Sequence, residues 1–364
     1  MINFANPKSE YLENKKKIDL AIKKTLASND YILGKSVKKF EQRFAKYNKC
    51  KYSLGVSSGT EALIIALKSL GVNPGDEIIT TSHTAFATVA AITEIGAKPV
   101  LIDIENDNFN MKYDEINRNL TKKTKGLILV HLYGLVANVK KIQEICKKNK
   151  IFLIEDCAQA HGAEYSGRKV GTFGDFGTFS FYPTKNLSTF GDAGSMITNN
   201  LKLYKKAKLY REYGWVKKNV GVLRSINRRM DEIHAAILNV KLNYLDKNNK
   251  KRIRIAKLYS DKIKNENIIL PKTIPTSKNV FHLYVIILKK NLRKKLILLL
   301  KKNHINPGIH YVLANHQQIP FKNFKKTKLV NTKKIIPNIL SLPIYPALSL
   351  LNVKKIIKLI NNFN

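Results

Sequence analysis

Short runs of apolar residues alternate with amphipathic stretches from about residue 50 to residue 200. Each run is rich in β-branched or aromatic residues, which is typical of a buried strand. The predicted strands are Tyr52–Val56, Glu77–Thr81, Pro99–Asp103, Gly126–Val130, Ile151–Glu155, Thr178–Phe181 and Gly194–Thr198. Apolar residues at helical spacing predict helices at Glu61–Leu70, Ala87–Glu94, Asp114–Asn119 and Val139–Asn149. This alternation predicts an α/β fold, with a mostly parallel seven-stranded sheet between helices.

The C-terminal third of the chain has a different pattern. A long helical pattern runs from about Met230 to Tyr259, and we interpret it as a connector out of the large domain. It is followed by a predicted strand at Phe281–Leu288 and by predicted helices near Leu292–Asn303 and Val353–Asn362. A chain of 364 residues is long enough for two domains. We therefore predict a large α/β domain over residues 1–245, including an N-terminal helical segment, and a smaller α+β domain over residues 246–364.

Two of the predicted strands lead to residues with ionisable side chains that are suited to catalysis. The strand Thr178–Phe181 leads through a Pro-Thr turn to Lys185. The strand Ile151–Glu155 leads directly to Asp156. In an open α/β sheet such residues meet in the crevice beyond the carboxyl ends of the strands. A lysine and a carboxylate there suit pyridoxal phosphate (PLP), because its aldehyde forms a Schiff base with lysine and its pyridinium nitrogen needs an ionised acid. Gln159 is placed to hydrogen-bond the phenolic oxygen of the ring.

The first predicted strand is followed by Ser57-Ser58-Gly59-Thr60-Glu61, which opens a helix. Free backbone N–H groups and the positive end of the helix dipole favour a phosphate at such a position. Gly59 would let the anion approach the backbone, and Thr60 would add a hydroxyl. The same residues also make a good helix cap, so a capping role alone stays open. The segment matches neither an NTP-binding loop nor a serine hydrolase elbow.

Phe86 follows the next predicted strand, in the segment Thr81–Thr88. An aromatic side chain at this edge of the sheet is suited to lie against a planar cofactor ring. A phenylalanine at such a position belongs more often to the hydrophobic core, and the sequence alone leaves both interpretations open.

Asp156, Cys157 and His161 are also compatible with other chemistries. A single Asp-Cys-x-x-x-His segment does not supply a full set of metal ligands, so we expect no metal. Cys157 is likewise not expected to act as a nucleophile.

The chain carries 65 Lys and Arg residues against 26 Asp and Glu residues, a formal net charge of +39. These basic residues are spread along the whole chain, without the aromatic and arginine interleaving of a single-strand nucleic-acid binder. We therefore expect a solvated basic surface that helps to capture an anionic substrate, and no nucleic-acid partner. Lysines interrupt every apolar stretch before it reaches the length of a membrane helix. The three cysteines form no CxxC pair and the N-terminus has no signal-peptide pattern, so we expect a cytoplasmic protein.

Ordered motifs extend over nearly the whole chain. The most specific are Phe179-Ser-Phe-Tyr-Pro-Thr-Lys-Asn-Leu187, Gly191-Asp-Ala-Gly194 and Glu155-Asp-Cys-Ala-Gln-Ala-His-Gly-Ala163. Others are Tyr31-Ile-Leu-Gly34, Val56-Ser-Ser-Gly-Thr60, Pro74-Gly-Asp-Glu77, His131-Leu-Tyr-Gly134, Tyr213-Gly-Trp215, Asn227-Arg-Arg-Met-Asp-Glu232 and His310-Tyr311. With these motifs the sequence resembles the DegT/DnrJ/EryC1/StrS aminotransferases, which are PLP-dependent nucleotide-sugar aminotransferases with the type I aminotransferase fold.

The resemblance implies roles for individual residues. Lys185 would form the Schiff base with PLP and move a proton between cofactor and substrate, and Asp156 would pair with the pyridine nitrogen. Gln159 would contact the ring oxygen, and Phe86 would stack on the ring. The phosphate would be held by Gly59, Thr60 and Ser180. Asn227 would reach the phosphate of the neighbouring subunit, which implies a homodimer with shared active sites.

The resemblance also implies the reaction. An amino acid, by resemblance L-glutamate, would give its amine to the cofactor. The cofactor would then aminate a keto carbon of a deoxysugar linked to dTDP, UDP or GDP, for the biosynthesis of a surface polysaccharide or another glycan. The motifs His131–Gly134 and Tyr213–Trp215 favour a 3-keto-6-deoxyhexose.

A few positions depart from the family pattern. His234 stands where the family usually has Gln, Ser225 replaces a common Gly, and His310–Gln318 lacks the usual prolines. These differences affect the substrate pocket and not the cofactor chemistry. The alternatives within the family are a PLP-dependent sugar dehydratase and a non-catalytic regulatory member. The dehydratases have a histidine in place of the Schiff-base lysine, so Lys185 argues against the first. A basic nucleic-acid-binding protein is the least favoured interpretation.

Overall fold

Helices and strands alternate along much of the chain in the computed structural model, which describes residues 1–106, 108–289 and 291–363. The α-helices are α1 Pro7–Leu26, α2 Lys35–Tyr47, α3 Gly59–Ser69, α4 Phe86–Glu94, α5 Ile116–Asn119, α6 Val139–Lys148, α7 Leu201–Arg211, α8 Glu232–Lys241, α9 Leu245–Lys262, α10 Leu292–Lys302, α11 Val330–Ile335 and α12 Leu350–Asn361. The strands are β1 Ile2–Asn3, β2 Tyr52–Val56, β3 Glu77–Thr81, β4 Lys98–Ile102, β5 Thr124–Val130, β6 Phe152–Asp156, β7 Glu164–Tyr165, β8 Arg168–Lys169, β9 Phe176–Ser180, β10 Gly194–Thr198, β11 Trp215–Lys217, β12 Val220–Gly221, β13 Ile268–Ile269, β14 Ser277–Lys278, β15 Tyr284–Leu288, β16 Ile305–Asn306 and β17 Ile339–Leu342.

The central sheet contains seven strands in the order β2-β10-β9-β6-β5-β3-β4. Strand β10 is antiparallel to both of its neighbours, and the remaining pairs are parallel. Antiparallel pairing of β10 with β9 is possible because a loop joins these strands, whereas parallel neighbours need a longer crossover. The predicted mostly parallel seven-stranded sheet is therefore confirmed.

The register of the sheet places several strand ends at one edge. Asp156 at the end of β6 pairs with Val130 at the end of β5 and with Thr178 in β9. At the other side of β9, Gly194 pairs with both Ser180 and Val56. The start of α3, the end of β9 and the end of β6 consequently border one crevice.

The structure shifts several predicted boundaries by one or two residues. It shifts the starts of the predicted strand Phe281–Leu288 and the predicted helix Val353–Asn362 by three. That strand begins only at Tyr284. The preceding backbone is used elsewhere, because the N–H groups of Val280 and Leu283 donate to the carbonyls of Gly134 and Tyr133, at 3.0 and 3.2 Å. The residues before β15 therefore connect the C-terminal part of the chain, by hydrogen bonds, to the turn at Tyr133 and Gly134 next to the large sheet.

The predicted connector from Met230 to Tyr259 is helical but interrupted. Helix α8 ends at Lys241, a 3₁₀ turn spans Leu242–Tyr244, and α9 continues to Lys262. Helix α9 then contributes buried Ile255, Ala256 and Tyr259 to a second hydrophobic core.

The second core is built around the antiparallel sheet β13-β15-β17. Helices α9, α10 and α12 cover it with buried side chains, among them Tyr259, Leu296 and Ile356. This packing agrees with a smaller C-terminal α+β unit, whereas its boundary at residues 245 and 246 stays a prediction. Within the described ranges, no helix combines the length and apolarity needed to cross a membrane.

Candidate active site

Lys185 lies in the loop that joins β9 to β10. Its backbone N–H donates to the carbonyl of Tyr182 at 2.9 Å. The base of the loop is closed by two more hydrogen bonds, from the N–H of Thr189 to the carbonyl of Phe181 and from the N–H of Phe181 to the carbonyl of Ala193, both at 2.8 Å. The loop therefore presents Lys185 from a fixed support at the carboxyl edge of the sheet.

Asp156 is a buried carboxylate at the end of β6, with 5% of its surface exposed. Its Oδ1 accepts the N–H of Ala158 at 3.1 Å, and its Oδ2 accepts the hydroxyl of Thr88 at 2.9 Å. Burial raises the pKa of Asp156, whereas the two hydrogen bonds and the charge of Lys185 oppose that increase. A pyridinium nitrogen beside Asp156 would add another opposing charge, and so would favour the ionised carboxylate.

Lys185 is half-buried. Burial lowers the pKa of Lys185 to about 8, and the Asp156 carboxylate opposes this shift. The charge of this lysine also affects the pKa values of three histidines. Burial lowers the pKa of His161 to about 3, that of His310 to about 4 and that of His282 well below its ordinary value, and Lys185 lowers each of them further. The amine therefore interacts electrostatically with three imidazoles of lowered pKa and with one carboxylate, which is a suitable environment for an amine that must react in its neutral form.

The start of α3 forms a narrow cradle with the two neighbouring strands. The Ser58 side chain caps the helix by accepting the N–H of Glu61 at 3.1 Å. A Cβ atom on Gly59 would lie 2.6 Å from the Cβ of Ser180, and a Cβ on Gly194 would lie 2.2 Å from the carbonyl oxygen of Ser58. The three segments pack too closely for larger residues, and they bring Gly59 and Ser180 together, whereas phosphate binding by these residues stays a prediction. Capping and anion binding are compatible here, because the cap uses the N–H of Glu61 and leaves the preceding N–H groups of the first turn.

Gln159 is buried, and both ends of its amide form hydrogen bonds. Its Oε1 accepts the backbone N–H of Tyr133 at 2.6 Å, and its Nε2 donates to the hydroxyl of Tyr311 at 2.9 Å. The amide oxygen is therefore directed toward the β5 side, and the amide nitrogen is the end that offers a donor.

His131, Glu155 and Cys157 have potential ligand atoms within 4.8 Å of one another. The carboxylate of Glu155 accepts the N–H groups of Gly171, Phe173 and Gly174 at 2.8, 2.7 and 2.9 Å. His131 Nε2 lies 3.1 Å from the same carboxylate, while its Nδ1 accepts the N–H of Ala137 at 3.1 Å. Burial also raises the pKa of Cys157 well above its ordinary value. These contacts describe a structural hydrogen-bond cluster, and the expectation that neither a metal nor a thiolate nucleophile is used stays a prediction.

Phe86 and Asn227 are both exposed to solvent. The ring of Phe86 is 47% exposed and lies 4.7 Å from the ring of Phe321. Asn227 is exposed, and its Oδ1 accepts the N–H of Arg229 at 3.3 Å. Stacking by Phe86 and a contact from Asn227 to the neighbouring subunit both stay predictions.

Several residues around the site were not selected from the sequence. Thr88 bonds to Asp156, the turn at Tyr133 bonds to Gln159, and His282 lies near Lys185. Thr88 is two residues after Phe86 in the sequence, but only the fold brings the first turn of α4 to the end of β6. The position of His282 depends on the C-terminal unit, and no local motif indicated it.

The family model described as the DegT/DnrJ/EryC1/StrS aminotransferase family matches residues 13–361 of the chain. Among its relatives is a dTDP-3-amino-3,6-dideoxy-alpha-D-galactopyranose transaminase of Aneurinibacillus thermoaerophilus. It is 37% identical over 363 residues, which cover 100% of this chain and 99% of the relative.

Solved structures agree with the sequence comparison. The structure of DesV from S. venezuelae superposes with a TM-score of 0.96 at 33% identity, and the match covers 99% of this chain and 97% of DesV. The PLP form of Spr1654 of Streptococcus pneumoniae superposes with a TM-score of 0.90 at 26% identity, and the match covers 96% of each chain. The predicted type I aminotransferase fold is therefore confirmed.

Proposed function

This chain belongs to the DegT/DnrJ/EryC1/StrS aminotransferase family, and from that premise we propose that it is a PLP-dependent nucleotide-sugar aminotransferase. It would transfer an amino group from an amino acid to a keto-deoxysugar that is carried on a nucleotide. The observation that carries this proposal is the placement of Lys185 and the buried carboxylate of Asp156 at the carboxyl edge of the same sheet, where the charges of the two groups interact.

The residues at this edge suit the charges of PLP. The N-terminus of α3 at Gly59 packs against Ser180, and its free N–H groups and the positive end of the helix dipole favour an anion such as the cofactor phosphate. Asp156 supplies the buried acid that a pyridinium nitrogen requires, and Thr88 orients that acid. PLP, when bound, supplies an electron-withdrawing ring that stabilises negative charge on the reacting carbon.

Lys185 is the group that we assign to proton movement. With its pKa near 8, an appreciable fraction of its amine is neutral at neutral pH, which an ordinary lysine does not achieve. The neutral Nζ can accept a proton from the substrate carbon and return it to another atom nearby. His161 and His282 stay uncharged in this environment, so neither competes with Lys185 as a cation.

For the acceptor we propose a 3-keto-6-deoxyhexose linked to a nucleoside diphosphate. The support is the name of the Aneurinibacillus relative, which describes a 3-amino-3,6-dideoxy sugar linked to dTDP. The net charge of +39 favours the approach of a diphosphate by its electrostatic field. L-glutamate is proposed as the amino donor on the sequence resemblance.

We further propose that the active enzyme is a homodimer with shared sites. Asn227 is exposed and lies next to exposed Ile226, close in sequence to the hairpin of β11 and β12. Tyr213, Val216 and Val222 add exposed apolar surface to the same segment. Exposed apolar residues that surround a polar one are suited to an interface, where Asn227 of one subunit would reach the phosphate in its partner.

The first test is a turnover assay with L-glutamate and dTDP-linked 3-keto-6-deoxyhexose, with the aminated sugar detected by mass spectrometry. The 4-keto isomer serves as a parallel substrate. We expect turnover of the 3-keto sugar and a yellow protein whose cofactor absorbance changes when glutamate is added. Lys185→Ala should stay folded but lose both the absorbance and the turnover, whereas Lys205→Ala, on the exposed face of α7, should retain both.

The outcomes separate the alternatives. A yellow wild-type protein that releases water from the sugar without incorporating nitrogen would favour a dehydratase. A colourless protein that turns over neither sugar would favour a regulatory role. Turnover by Lys185→Ala at the wild-type rate would refute the role of this lysine.

The shared site can be tested by mixing two inactive variants. Lys185→Ala and Asn227→Ala homodimers should each be impaired, the first in chemistry and the second in cofactor retention. After subunit exchange, about half of the dimers are hybrids with one intact site, so activity should recover to about a quarter of the wild-type value. No recovery, with exchange verified by differently tagged subunits, would contradict a shared site.

A further inference from the structure

The turn after β5 has an unusual backbone at Tyr133. This residue has a φ of +62°, in the left-handed region, although it is not a glycine. Large residues adopt this conformation rarely, and it persists where surrounding contacts hold it. Tyr133 is fully buried, and the ring of Phe109 packs against it at 5.2 Å.

Two hydrogen bonds hold the hydroxyl of Tyr133. It donates to the carbonyl of His310, and it lies 2.6 Å from Nε2 of His83. Because the hydroxyl proton is used toward His310, Nε2 of His83 must be the donor in the second bond. Burial lowers the pKa of His83 to about 3, so its ring is neutral and this tautomer is retained at working pH.

The backbone of the same residue fixes a predicted cofactor ligand. The N–H of Tyr133 donates to Oε1 of Gln159 at 2.6 Å. The following residue, Gly134, packs directly on this segment, because a Cβ there would lie 2.8 Å from the carbonyl oxygen of Gln159. The side chain of Tyr133 thus anchors a turn whose backbone sets the orientation of the Gln159 amide.

An amide nitrogen carries two N–H groups, and one of those on Gln159 donates to the hydroxyl of Tyr311. Rotation of the amide by half a turn would place its nitrogen against the N–H of Tyr133, where two donors would meet. The contact from Tyr133 therefore selects the orientation in which the remaining N–H is available to an acceptor.

We propose that His83 and Tyr133 are positioning residues, which hold the Gln159 amide so that its N–H donates to the phenolic oxygen of the cofactor. This inference rests on the proposed function, since it requires PLP as the ligand. The effect of the pair passes through the backbone of the Tyr133 turn, so neither side chain has to touch the cofactor.

The test compares two ligands in wild-type and variant protein freed of cofactor. One ligand is PLP, and the other is 3-deoxypyridoxal 5′-phosphate, which lacks the ring hydroxyl. The measured quantity is the ratio of their dissociation constants in each protein. Dividing the ratio of the variant by that of the wild type cancels the intrinsic difference between the two aldehydes. Tyr133→Phe keeps the ring and removes the hydroxyl. We expect it to reduce the preference for PLP about tenfold, as for the loss of a hydrogen bond to a charged acceptor.

The matched control is Tyr259→Phe. Tyr259 is also fully buried, and its hydroxyl donates to the carbonyl of Pro343 at 2.8 Å in the C-terminal core. Tyr259→Phe should lower the free energy of unfolding to a similar extent as Tyr133→Phe and leave the preference for PLP unchanged. His83→Phe removes the donor to Tyr133 and should also reduce the preference for PLP. This second variant keeps the test available if Tyr133→Phe does not fold.

The results distinguish this inference from the proposed function. A wild-type protein that binds neither ligand would refute both. A wild-type protein that prefers PLP, together with Tyr133→Phe and His83→Phe proteins of unchanged preference, would refute the positioning role alone. An equal loss of affinity for both ligands would also refute it, because a purely structural defect gives that result.

Discussion

Lys185 is one of 65 basic residues in the chain, and its surroundings set it apart chemically. Burial costs the charged form of the amine its solvation, so the pKa decreases to about 8. The nearby Asp156 carboxylate favours the charged form and limits the decrease. The balance of these two effects gives an amine that can be both neutral and charged near working pH.

This balance predicts the pH dependence of cofactor capture. The neutral amine is the nucleophile, so the rate of PLP association with cofactor-free protein should increase with pH and level off above about 8, as read from the PLP absorbance in a stopped-flow instrument. Asp156→Asn removes the carboxylate that favours the charged form of Lys185. The pKa of Lys185 should then be lower, and the midpoint should move to lower pH.

The control for this prediction is Asp114→Asn, which changes an exposed acid and should leave the midpoint in place. A midpoint near 10.5 in the wild-type protein would show that Lys185 behaves as an ordinary lysine. A shift to higher pH in Asp156→Asn would contradict the assigned direction of the interaction.

At the scale of elements, Asp103 joins the large sheet to the C-terminal part of the chain. It follows β4 and is 2% exposed. Its carboxylate accepts the N–H groups of Asn331 and Thr332 at 2.7 and 2.8 Å and the hydroxyl of Thr332 at 2.6 Å. The side chain therefore caps α11 from a distant point in the sequence, and it satisfies N–H groups that the helix itself cannot use.

Removal of this cap should be costly. Asp103→Ala leaves buried N–H groups without an acceptor, and the free energy of unfolding should decrease by about 3 kcal/mol, measured by urea denaturation. Asp103→Asn retains one acceptor oxygen, so its free energy of unfolding should decrease less. Asp114→Ala, at an exposed position, should change stability little. Equal stability of Asp103→Ala and the wild-type protein would show that this contact does not hold α11.

Element boundaries were predictable where the pattern is local. Strands β2, β3 and β10 have the bounds predicted from the sequence, because each is an apolar run with clear polar or glycine limits. Strand β15 starts later than predicted, since the N–H groups before it bond to the turn at Tyr133 and Gly134. An apolar run does not reveal which distant backbone its first residues will contact.

At the scale of the whole molecule, a buried ion pair connects three distant segments. Lys241 at the end of α8 lies 2.9 Å from the carboxylate of Glu10 in α1. The same amine donates to the hydroxyl of Ser188 at 2.6 Å, in the loop that carries Lys185. The N-terminal helix, the connector and the loop that carries Lys185 therefore share one charged contact.

This arrangement predicts non-additive effects on stability. Glu10→Gln leaves the ammonium of Lys241 buried without its partner charge, and the free energy of unfolding should decrease by about 3 to 5 kcal/mol. The double variant Glu10→Gln and Lys241→Met removes both charges and should recover most of that loss. Urea unfolding followed by circular dichroism measures both. A double variant less stable than Glu10→Gln would contradict the expected coupling.

Local residue patterns were enough to predict the alternation of strands and helices, the mostly parallel sheet and the placement of Lys185 and Asp156 beyond strand ends. These features follow from hydrophobic periodicity and from the rule that parallel strands expose their carboxyl ends at one edge. The side chains that orient Asp156 and Gln159 were set by the tertiary fold. Thr88 reaches Asp156, and His83 reaches Tyr133, through contacts between residues far apart in the chain. Such contacts depend on strand order and on close packing of the whole fold, and no local pattern of residues encodes them.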